Sequence, residues 1–231
     1  MPSYPLLLDA YGHTSWEGYL RHGHEHAKLI AEKIRKYAPG VHNGAGGPVV
    51  LDWGCGPGRV IRLLGEYLAP LKPEIHGTDY NPATIRWCRK NLPGIHFERN
   101  ETSPPLPFPD GRIDALYSIS VFTHLSEAQH FSWRDEIIRL LAPGGVAIVT
   151  LHGDRFIQYL STEDAAQYQD GNLVVSEFAA EGKRDFQAYH PPSWVRANLL
   201  GSLECLEHDE RELFDWFHQD IWVLRKTLPQ A

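Results

Sequence analysis

The stretch of residues 49–64, VVLDWGCGPGRVIRLL, decides the fold of this chain. Residues 49–51 form an apolar, mostly β-branched run that is typical of a buried strand, and Asp52 ends this run. Three glycines then alternate with other residues over positions 54–58. Beyond the glycines, apolar side chains recur with the spacing of one helix face, at Val60, Ile61, Leu63, Leu64 and Leu68. A strand, a glycine turn and a helix in this order open a βαβ unit of the nucleotide-binding type.

The glycine turn suits a ligand for two physical reasons. Glycine lets the backbone approach a ligand where any side chain would intrude. The start of the following helix offers free N–H groups and a partial positive charge. The spacing is G-x-G-x-G, which differs from the G-x-G-x-x-G fingerprint of dinucleotide sites. Many α/β proteins use glycine at this place for the turn alone, so the interpretation depends on the residues further along the chain.

With Asp52 ahead of the three glycines, the stretch resembles the first motif of class I S-adenosylmethionine-dependent methyltransferases. In that family the loop holds a methionyl-sulfonium group and a ribose rather than a pyrophosphate. The resemblance implies that S-adenosyl-L-methionine is the cofactor. It also implies cofactor contacts from this loop, at Asp52, Gly54, Cys55, Gly56 and Gly58.

Composition and charge narrow the class of protein. The 231 residues are 42% hydrophobic and 22% charged, which is ordinary for a globular chain long enough for one substantial core. The net charge of −7 argues against a surface that follows nucleic-acid phosphates. We therefore expect a small-molecule acceptor and no nucleic-acid partner.

The compartment is predicted from what the sequence lacks. The three cysteines are odd in number and have no metal-binding spacing, as expected of reduced thiols in the cytoplasm. The first residues carry neither the basic region nor the long apolar region of a signal peptide. No run approaches the length of a membrane span. We expect a cytoplasmic protein with no membrane partner, and the sequence gives no indication of its oligomeric state.

A single domain, residues 1–231, is expected to have four parts. Residues 1–44 would form an N-terminal arm and a lid helix, with an irregular arm over 1–20, a helix from about His22 to Tyr37 and a loop from Pro39. Residues 45–152 would form the cofactor-binding core. Residues 153–190 would form a variable insertion on the substrate side, and residues 191–231 a C-terminal helix and hairpin.

The lid helix begins with charged and histidine residues that have two interpretations. Arg21, just before the predicted helix, could pair with the carboxylate of the cofactor's methionine portion, or it could be a surface arginine. His22, His24 and His26 favour a solvated or partly packed polar face over a metal site, because no carboxylate or thiol cluster accompanies them. We predict no metal.

The second strand, predicted over residues 74–78, leads to the ribose site. Asp79 follows it, about 20 residues beyond the glycine turn, where a carboxylate binds the ribose hydroxyls in nucleotide-binding folds. The alternative is that Asp79 only caps the next helix. Tyr80 comes directly after Asp79 and is included among the cofactor contacts.

The third strand, predicted over residues 95–98, leads to the adenine site. In the family that this chain resembles, an acidic residue soon after this strand bonds the adenine amino group. Asn100 is the best match, and its amide oxygen can still accept that hydrogen bond. Glu101 is the rival candidate.

The fourth strand, predicted over residues 113–119, points at the space between cofactor and acceptor, because ligands bind beyond the carboxyl ends of parallel strands. Ser120 and Val121 would lie near the methyl donor. His124 is the first candidate base, since histidine titrates near neutral pH and can take a proton from a hydroxyl or amine. The alternative is a structural histidine. His152, just past the strand predicted over residues 146–151, is the second candidate base.

The rest of the chain predicts an insertion and the end of the sheet. Residues 173–178 and 186–190 would form a hairpin whose side chains either shape an acceptor pocket or simply pack, namely Phe178, Phe186, Gln187, Tyr189 and His190. A helix over 191–200 and strands over 203–208 and 219–226 would follow, with the last strand antiparallel. The fold class is therefore α/β, a Rossmann-like seven-stranded mixed sheet with helices on both faces.

The resulting hypothesis is a methyltransferase that moves a methyl group from S-adenosyl-L-methionine to O or N of a metabolite, sugar or natural product by in-line displacement. One rival is a non-catalytic protein of the same fold that only binds the cofactor. A weaker rival is a nicotinamide-dependent oxidoreductase, which the glycine spacing and the antiparallel last strand disfavour.

Overall fold

The computed structural model describes residues 1–38, 46–177, 179–210 and 217–228, with the main chain alone at Glu177. The strands in these ranges are β1 Val49–Trp53, β2 Glu74–Asp79, β3 His96–Arg99, β4 Ile113–Ser118, β5 Leu141–Leu151, β6 Val174–Glu177, β7 Phe186–Tyr189, β8 Leu203–Asp209 and β9 Asp220–Lys226. The predicted loop from Pro39 falls largely outside the described residues, and Phe178 does so entirely.

Helices connect most of these strands. The α-helices are α1 Tyr4–Tyr11, α2 Trp16–Tyr37, α3 Ile61–Tyr67, α4 Pro82–Asn91, α5 Glu127–Leu140, α6 Thr162–Gln169 and the short α7 Pro192–Trp194. A π-helical turn, Val195–Leu199, continues α7, where the sequence predicts an uninterrupted helix. Single 3₁₀ segments lie at Ala69–Leu71, Phe122–His124 and Asp154–Tyr159.

Seven strands form one mixed sheet in the order β3-β2-β1-β4-β5-β9-β8. The first five are parallel, and β9 runs antiparallel to β5 and β8. This confirms the predicted fold class. The chain leaves β1 in one direction for β2 and β3 and returns on the other side for β4. In doubly wound sheets, ligands bind at such a reversal, outside the carboxyl ends of the strands.

Each face of the sheet has its own apolar core, because successive strand residues face opposite sides. Val50 belongs to one core together with Ile30 of α2 and Leu64 of α3. Its neighbour Leu51 belongs to the other core together with Trp133 of α5. Helices therefore cover both faces, and β1, buried along its whole length, lies at the centre.

The predicted irregular arm over residues 1–20 is wrong: it contains α1 and the first turns of α2. Its proline and glycines mark helix ends rather than disorder. Pro5 lies in the first turn of α1, where its missing N–H costs nothing, and Gly12 ends the helix with a left-handed φ of 70°. The Ser15 hydroxyl accepts from the Gly18 N–H at 3.0 Å and starts α2.

A separate two-stranded sheet, β6 paired with β7, stands in the predicted insertion. Strand β5 begins at Leu141, five residues before the predicted start, since Leu141 already pairs with Ile113 across an irregular register. Among the described residues, no helix is long and apolar enough to cross a membrane.

Candidate active site

A cavity of about 490 Å³ lies at the carboxyl ends of β1, β2 and β4. The end of α1 and the segment that leads into β7 also contribute to its wall. The sequence-predicted residues that line it are Asp52, Gly54, Cys55, Gly56, Asp79, Tyr80, Asn100, Ser120, Val121 and His124. Three predicted residues, Arg21, Gly58 and His152, do not line it.

The glycine turn is shaped by close contacts that leave no room for a side chain. A Cβ atom on Gly54 would lie 2.4 Å from Cγ2 of Val121, and φ at Gly54 is 79°. A Cβ atom on Gly58 would lie 2.4 Å from Cδ1 of Leu92. Gly54 therefore keeps the cavity wall open, whereas Gly58 lets the turn pack against the chain beyond α4.

Asp79 is buried at the cavity wall with its carboxylate held by two main-chain donors. Oδ2 accepts from the Gly56 N–H at 3.0 Å and Oδ1 from the Asn81 N–H at 2.8 Å. Burial raises the pKa of Asp79 to about 6, although both hydrogen bonds lower it. The residue that caps α4 is Asn81, whose Oδ1 accepts from the Ala83 N–H at 2.9 Å. The alternative role of Asp79 as a helix cap is therefore wrong.

Asp52 lies deeper, at the end of β1. Its Oδ2 accepts a 2.6 Å hydrogen bond from the Tyr117 hydroxyl. Burial raises the pKa of Asp52 to about 7; the Tyr117 hydrogen bond opposes this rise and the nearby Asp79 charge adds to it. The cavity floor thus holds a carboxyl group that is close to its own titration point at neutral pH.

Asn100 presents an unsatisfied acceptor. Its Nδ2 donates to the Glu101 carbonyl at 2.6 Å, while its Oδ1 is buried and has no partner among the described residues. Buried acceptors are nearly always satisfied in folded proteins, so this oxygen fits a donor that comes from a ligand. The rival Glu101 does not line the cavity, and its carboxylate is paired with Arg99 at 3.1 Å.

Ser120 turns the chain away from the sheet with a φ of 59°, an uncommon conformation for a residue other than glycine. Three hydrogen bonds hold it there. Its N–H donates to the Thr150 hydroxyl at 2.9 Å, the Thr150 hydroxyl donates to Gln219 Oε1 at 2.6 Å, and Gln219 Nε2 donates to the Ser120 hydroxyl at 2.6 Å. Gln219 also lines the cavity. Sequence reasoning missed this residue as part of the site and placed it at the start of the last predicted strand, residues 219–226.

His124 lies in the 3₁₀ turn after β4 and lines the cavity. Its Nδ1 is 2.8 Å from the Phe186 carbonyl and must donate to it. In the neutral ring, Nε2 then carries the lone pair. Burial lowers the pKa of His124, more than the Phe186 carbonyl raises it, so the neutral form predominates at pH 7. The residue has a structural bond and also a free proton-accepting nitrogen.

His152, the second candidate base, is in a different setting. Its Nδ1 is 3.2 Å from the Ala188 carbonyl, and its ring stacks on Phe156 with centroids 4.0 Å apart. Burial lowers its pKa to about 3. Its place outside the cavity corrects the prediction: β7 runs over the end of β5 and covers His152, which therefore anchors β7 instead of facing a ligand.

Arg21 is exposed and, among the described residues, contacts the adjacent His22 ring at 3.2 Å. The prediction fails because α2 begins at Trp16, so Arg21 lies inside the helix on its outer side rather than at its start. The guanidinium groups that do line the cavity belong to Arg59 and Arg184. Arg59 directly follows the third glycine of the turn, so the sequence could have indicated it as a basic residue beside the cofactor.

The hairpin side chains behave as packing residues. Phe186 and His190 are buried, and His190 Nε2 lies 2.8 Å from His130 Nε2. Gln187 donates to the Arg184 carbonyl. None of these side chains, nor Tyr189, lines the cavity, so the hairpin contributes to it through the segment before β7.

No group of metal ligands forms at the cavity among the described residues. His24 contacts the Tyr67 hydroxyl at 3.2 Å, and His26 packs edge-on against Phe217. The one described cluster with ligand spacing lies elsewhere, between β8 and β9, and consists of His208, Glu210 and Asp220.

Comparisons with known proteins agree with this architecture. Residues 50–145 match the model of a methyltransferase domain family. A protein of Methylobacterium nodulans named trans-aconitate 2-methyltransferase is 35% identical over 105 residues, which are 44% of this chain and 37% of that protein. A protein of the same name from Delftia acidovorans is 28% identical over 140 residues, 59% of this chain and 48% of that protein. The chain thus spans less than half the length of these curated relatives.

Solved structures share the fold over most of the chain. The PH0226 protein of Pyrococcus horikoshii has a TM-score of 0.65 at 18% identity, covering 92% of this chain and 96% of that one. The 1,6-didemethyltoxoflavin-N1-methyltransferase of Burkholderia thailandensis, solved with S-adenosylhomocysteine, has a TM-score of 0.59 at 15% identity, covering 91% and 83%. At such identities the likeness concerns the fold alone.

Proposed function

We propose that this chain, whose residues 50–145 match a methyltransferase domain family, transfers a methyl group from S-adenosyl-L-methionine to an oxygen or nitrogen atom of a small molecule, as class I S-adenosylmethionine-dependent methyltransferases do. One observation carries the proposal: the buried Asp79 carboxylate and the unsatisfied Asn100 oxygen line one cavity together with the glycine turn. The Asp79 carboxylate can accept the two hydrogen bonds of a ribose diol, and the Asn100 oxygen can accept one from an adenine amine. The open backbone of the glycine turn leaves room for a methionyl chain.

Three side chains of the cavity would hold the cofactor. Asp79 would accept hydrogen bonds from the ribose hydroxyls, and Asn100 would accept one from the adenine amine. Arg59 takes the role first given to Arg21 and would pair with the methionine carboxylate, since its guanidinium lines the cavity beside the glycine turn. When bound, the cofactor supplies an electrophilic methyl group on a sulfonium centre.

The protein's contribution to the reaction would be alignment and proton transfer. Holding donor and acceptor in line supplies most of the acceleration in such a transfer. Neutral His124 would accept the proton of an acceptor hydroxyl at Nε2, because its Nδ1 is already bound to the Phe186 carbonyl. An amine acceptor that attacks as the free base would depend less on this residue.

The acceptor class is supported by charge and by the relatives. Two of the relatives are named for trans-aconitate, a small molecule. The net charge of −7 disfavours nucleic acid as the substrate.

The three cysteines, Cys55, Cys88 and Cys205, are all unpaired, which agrees with a cytoplasmic location.

The test is calorimetric titration of the full chain with S-adenosylmethionine, NAD and NADP. We expect micromolar binding of S-adenosylmethionine alone, weakened about 100-fold in Asp79→Ala, since two charge-assisted hydrogen bonds are lost. Asp135→Ala is the matched control, because Asp135 is exposed and paired with Arg134. Absence of S-adenosylmethionine binding to the wild type would refute the proposal.

Turnover separates the enzyme from the rival, a cofactor-binding protein without activity. Release of S-adenosylhomocysteine is measured with trans-aconitate and a panel of hydroxylated and amino acceptors. Binding without product for every acceptor would favour the rival.

A further inference from the structure

Two guanidinium groups share the cavity, and neither forms an ion pair with a described carboxylate. Arg59 stacks over the Tyr11 ring at 4.4 Å, and its Nε is buried without a hydrogen-bond partner in the described part of the chain. Arg184 donates one long hydrogen bond, 3.4 Å, to the Ala10 carbonyl. Burial lowers the pKa of both groups, and the charge of Arg184 lowers the pKa of Arg59 further. Two partly desolvated cations in one cavity are unfavourable unless anions accompany them.

The cavity's acidic residues are already engaged elsewhere. Asp79 accepts from two main-chain N–H groups, and Asp52 from the Tyr117 hydroxyl. Asp9 accepts from Asn81 and lies 3.6 Å from the Lys183 ammonium. None of these three carboxylates is in hydrogen-bond or ion-pair contact with Arg59 or Arg184 in the described part of the chain, although the charge of Asp52 raises the pKa of Arg59. A guanidinium group that lines a cavity without a contact ion pair can bind an anionic ligand.

The two arginines come from different segments of the chain. Arg59 comes from the glycine turn, next to the groups that would hold the cofactor. Arg184 comes from the segment before β7. Besides burial, the charges of both arginines lower the pKa of His13, but for His124 the arginine that does so is Arg184. The cofactor's methionine portion has a single carboxylate, which Arg59 can pair with. Arg184 then remains for a second anion on the side of the proton acceptor.

We propose that Arg184 binds an anionic group of the methyl acceptor, a carboxylate or a phosphate, and so selects acidic small molecules as substrates. This inference rests on the proposed function and deepens it. The bound anion would be a group other than the atom that is methylated, because pairing with a guanidinium reduces the nucleophilicity of an oxygen. Arginine suits the role, since its planar fork matches a carboxylate or a phosphate with two parallel hydrogen bonds.

The surroundings of Arg184 position it for this task. Its side chain lies against Gly12 at the end of α1, where an added Cβ would be 2.7 Å from Nε. Its carbonyl accepts from Gln187, which ties the segment to β7. The adjacent Lys183 shows the contrast, since its ammonium contacts Asp9 and donates to the Tyr80 hydroxyl at 3.0 Å. Lys183 fastens the segment to α1. Arg184 lines the cavity without a contact ion pair among the described residues, although the charge of the adjacent Asp185 raises its pKa.

The experiment titrates the full chain, saturated with S-adenosylhomocysteine, with four probes in a calorimeter. They are trans-aconitate, citrate, glycerol 3-phosphate and the neutral trimethyl ester of trans-aconitate. The proteins are the wild type, Arg184→Gln, Arg184→Lys and Arg86→Gln. Arg86 is exposed on α4 and outside the cavity, so it provides the same substitution with the same change in charge.

We expect the wild type to bind at least one anion about tenfold or more tightly than the ester, the loss typical of one charge-assisted pair. Arg184→Gln should lose that preference, Arg184→Lys should keep part of it, and Arg86→Gln should match the wild type within about twofold. The more tightly bound anion identifies the group as carboxylate or phosphate.

The proposal is overturned if the ester binds as well as the acids, if Arg184→Gln binds anions like the wild type, or if no anion binds. Affinity for S-adenosylhomocysteine is measured first. Equal values in wild type and Arg184→Gln show that the variant is folded with an intact cofactor site. A wild type that does not bind S-adenosylhomocysteine would instead refute the proposed function.

Discussion

The two sides of the cavity are built in different ways. The side that we propose binds the cofactor, called the cofactor side below, is shaped by backbone: the glycine turn, the N–H groups that hold the Asp79 side chain, and the ends of β1 and β2. The side that we propose binds the acceptor, called the acceptor side below, consists of side chains from distant segments, among them His124 and Arg184. Backbone geometry tolerates few substitutions, whereas side chains can be exchanged while the fold persists. The difference explains how one scaffold can keep its cofactor and vary its acceptor.

The acceptor side is held in place by neutral histidines. His124 donates to the Phe186 carbonyl, and His152 bonds the Ala188 carbonyl two residues further along β7. His190, directly after β7, contacts His130. Burial lowers the pKa of all four rings. The cofactor side shows the opposite trend, since burial raises the pKa of Asp52 and Asp79.

The largest expected effect comes from adding a side chain to the glycine turn on the cofactor side. Gly54→Ala would place a methyl group 2.4 Å from Val121 Cγ2 in a left-handed conformation, so we expect no measurable S-adenosylmethionine binding. Gly94→Ala is the control, because Gly94 has a φ of 84° and no described heavy atom within 4 Å of the added Cβ. It costs about 1 kcal/mol of backbone strain alone. Calorimetry and thermal unfolding distinguish the two variants. Retained S-adenosylmethionine binding in Gly54→Ala would show that the glycine turn does not form part of the cofactor site.

A smaller effect separates the two candidate bases. His124 and His152 both bond β7 carbonyls through Nδ1, but only His124 lines the cavity. With an accepted hydroxyl substrate, His124→Gln should lower kcat about 100-fold or more and leave cofactor affinity nearly unchanged. His152→Gln should lower kcat less than about fivefold, because its ring does not reach the acceptor.

The pH profile makes this comparison sharper. Loss of the acid limb of kcat in His124→Gln would support proton transfer by His124. Equal losses of kcat in both variants, with the profile unchanged, would show that the two histidines only hold β7.

Particular residues show which parts of the site the sequence could predict. The strands, the glycine turn and Asp79 belong to short contiguous patterns whose geometry is local, so their positions can be derived from spacing. Asn100 was assigned through the resemblance to the methyltransferase family. Arg21 was placed wrongly because one serine cap, Ser15, moved the start of α2. Arg184 and Gln219 reach the cavity from segments far along the chain. No local pattern predicts which face of a hairpin or a final strand will meet the ligand.

The smallest expected effect tests whether the two sides respond oppositely to acid. Burial lowers the pKa of His152 to about 3, and its neighbours His124 and Arg184 lower it as well. The unfolded chain then binds more protons than the folded chain below pH 6.5, so the stability that His152 contributes is lost as the pH falls. The pKa of Asp52 is raised to about 7, so the folded chain binds more protons between about pH 4 and 7, and stability increases as the pH falls.

Urea unfolding at pH 7.5 and 5.5 measures both contributions. Relative to the wild type, His152→Gln should favour stability at pH 5.5 over pH 7.5 by about 1.4 kcal/mol, the free energy of one pKa unit. Asp52→Asn should shift the balance in the opposite direction by a similar amount. In the wild type, the contributions of His152 and Asp52 to the pH dependence of stability oppose each other. The test therefore compares each variant with the wild type at both pH values. Shifts of the same sign in both variants would mean that the histidine and carboxylate sides do not differ in the way their burial implies.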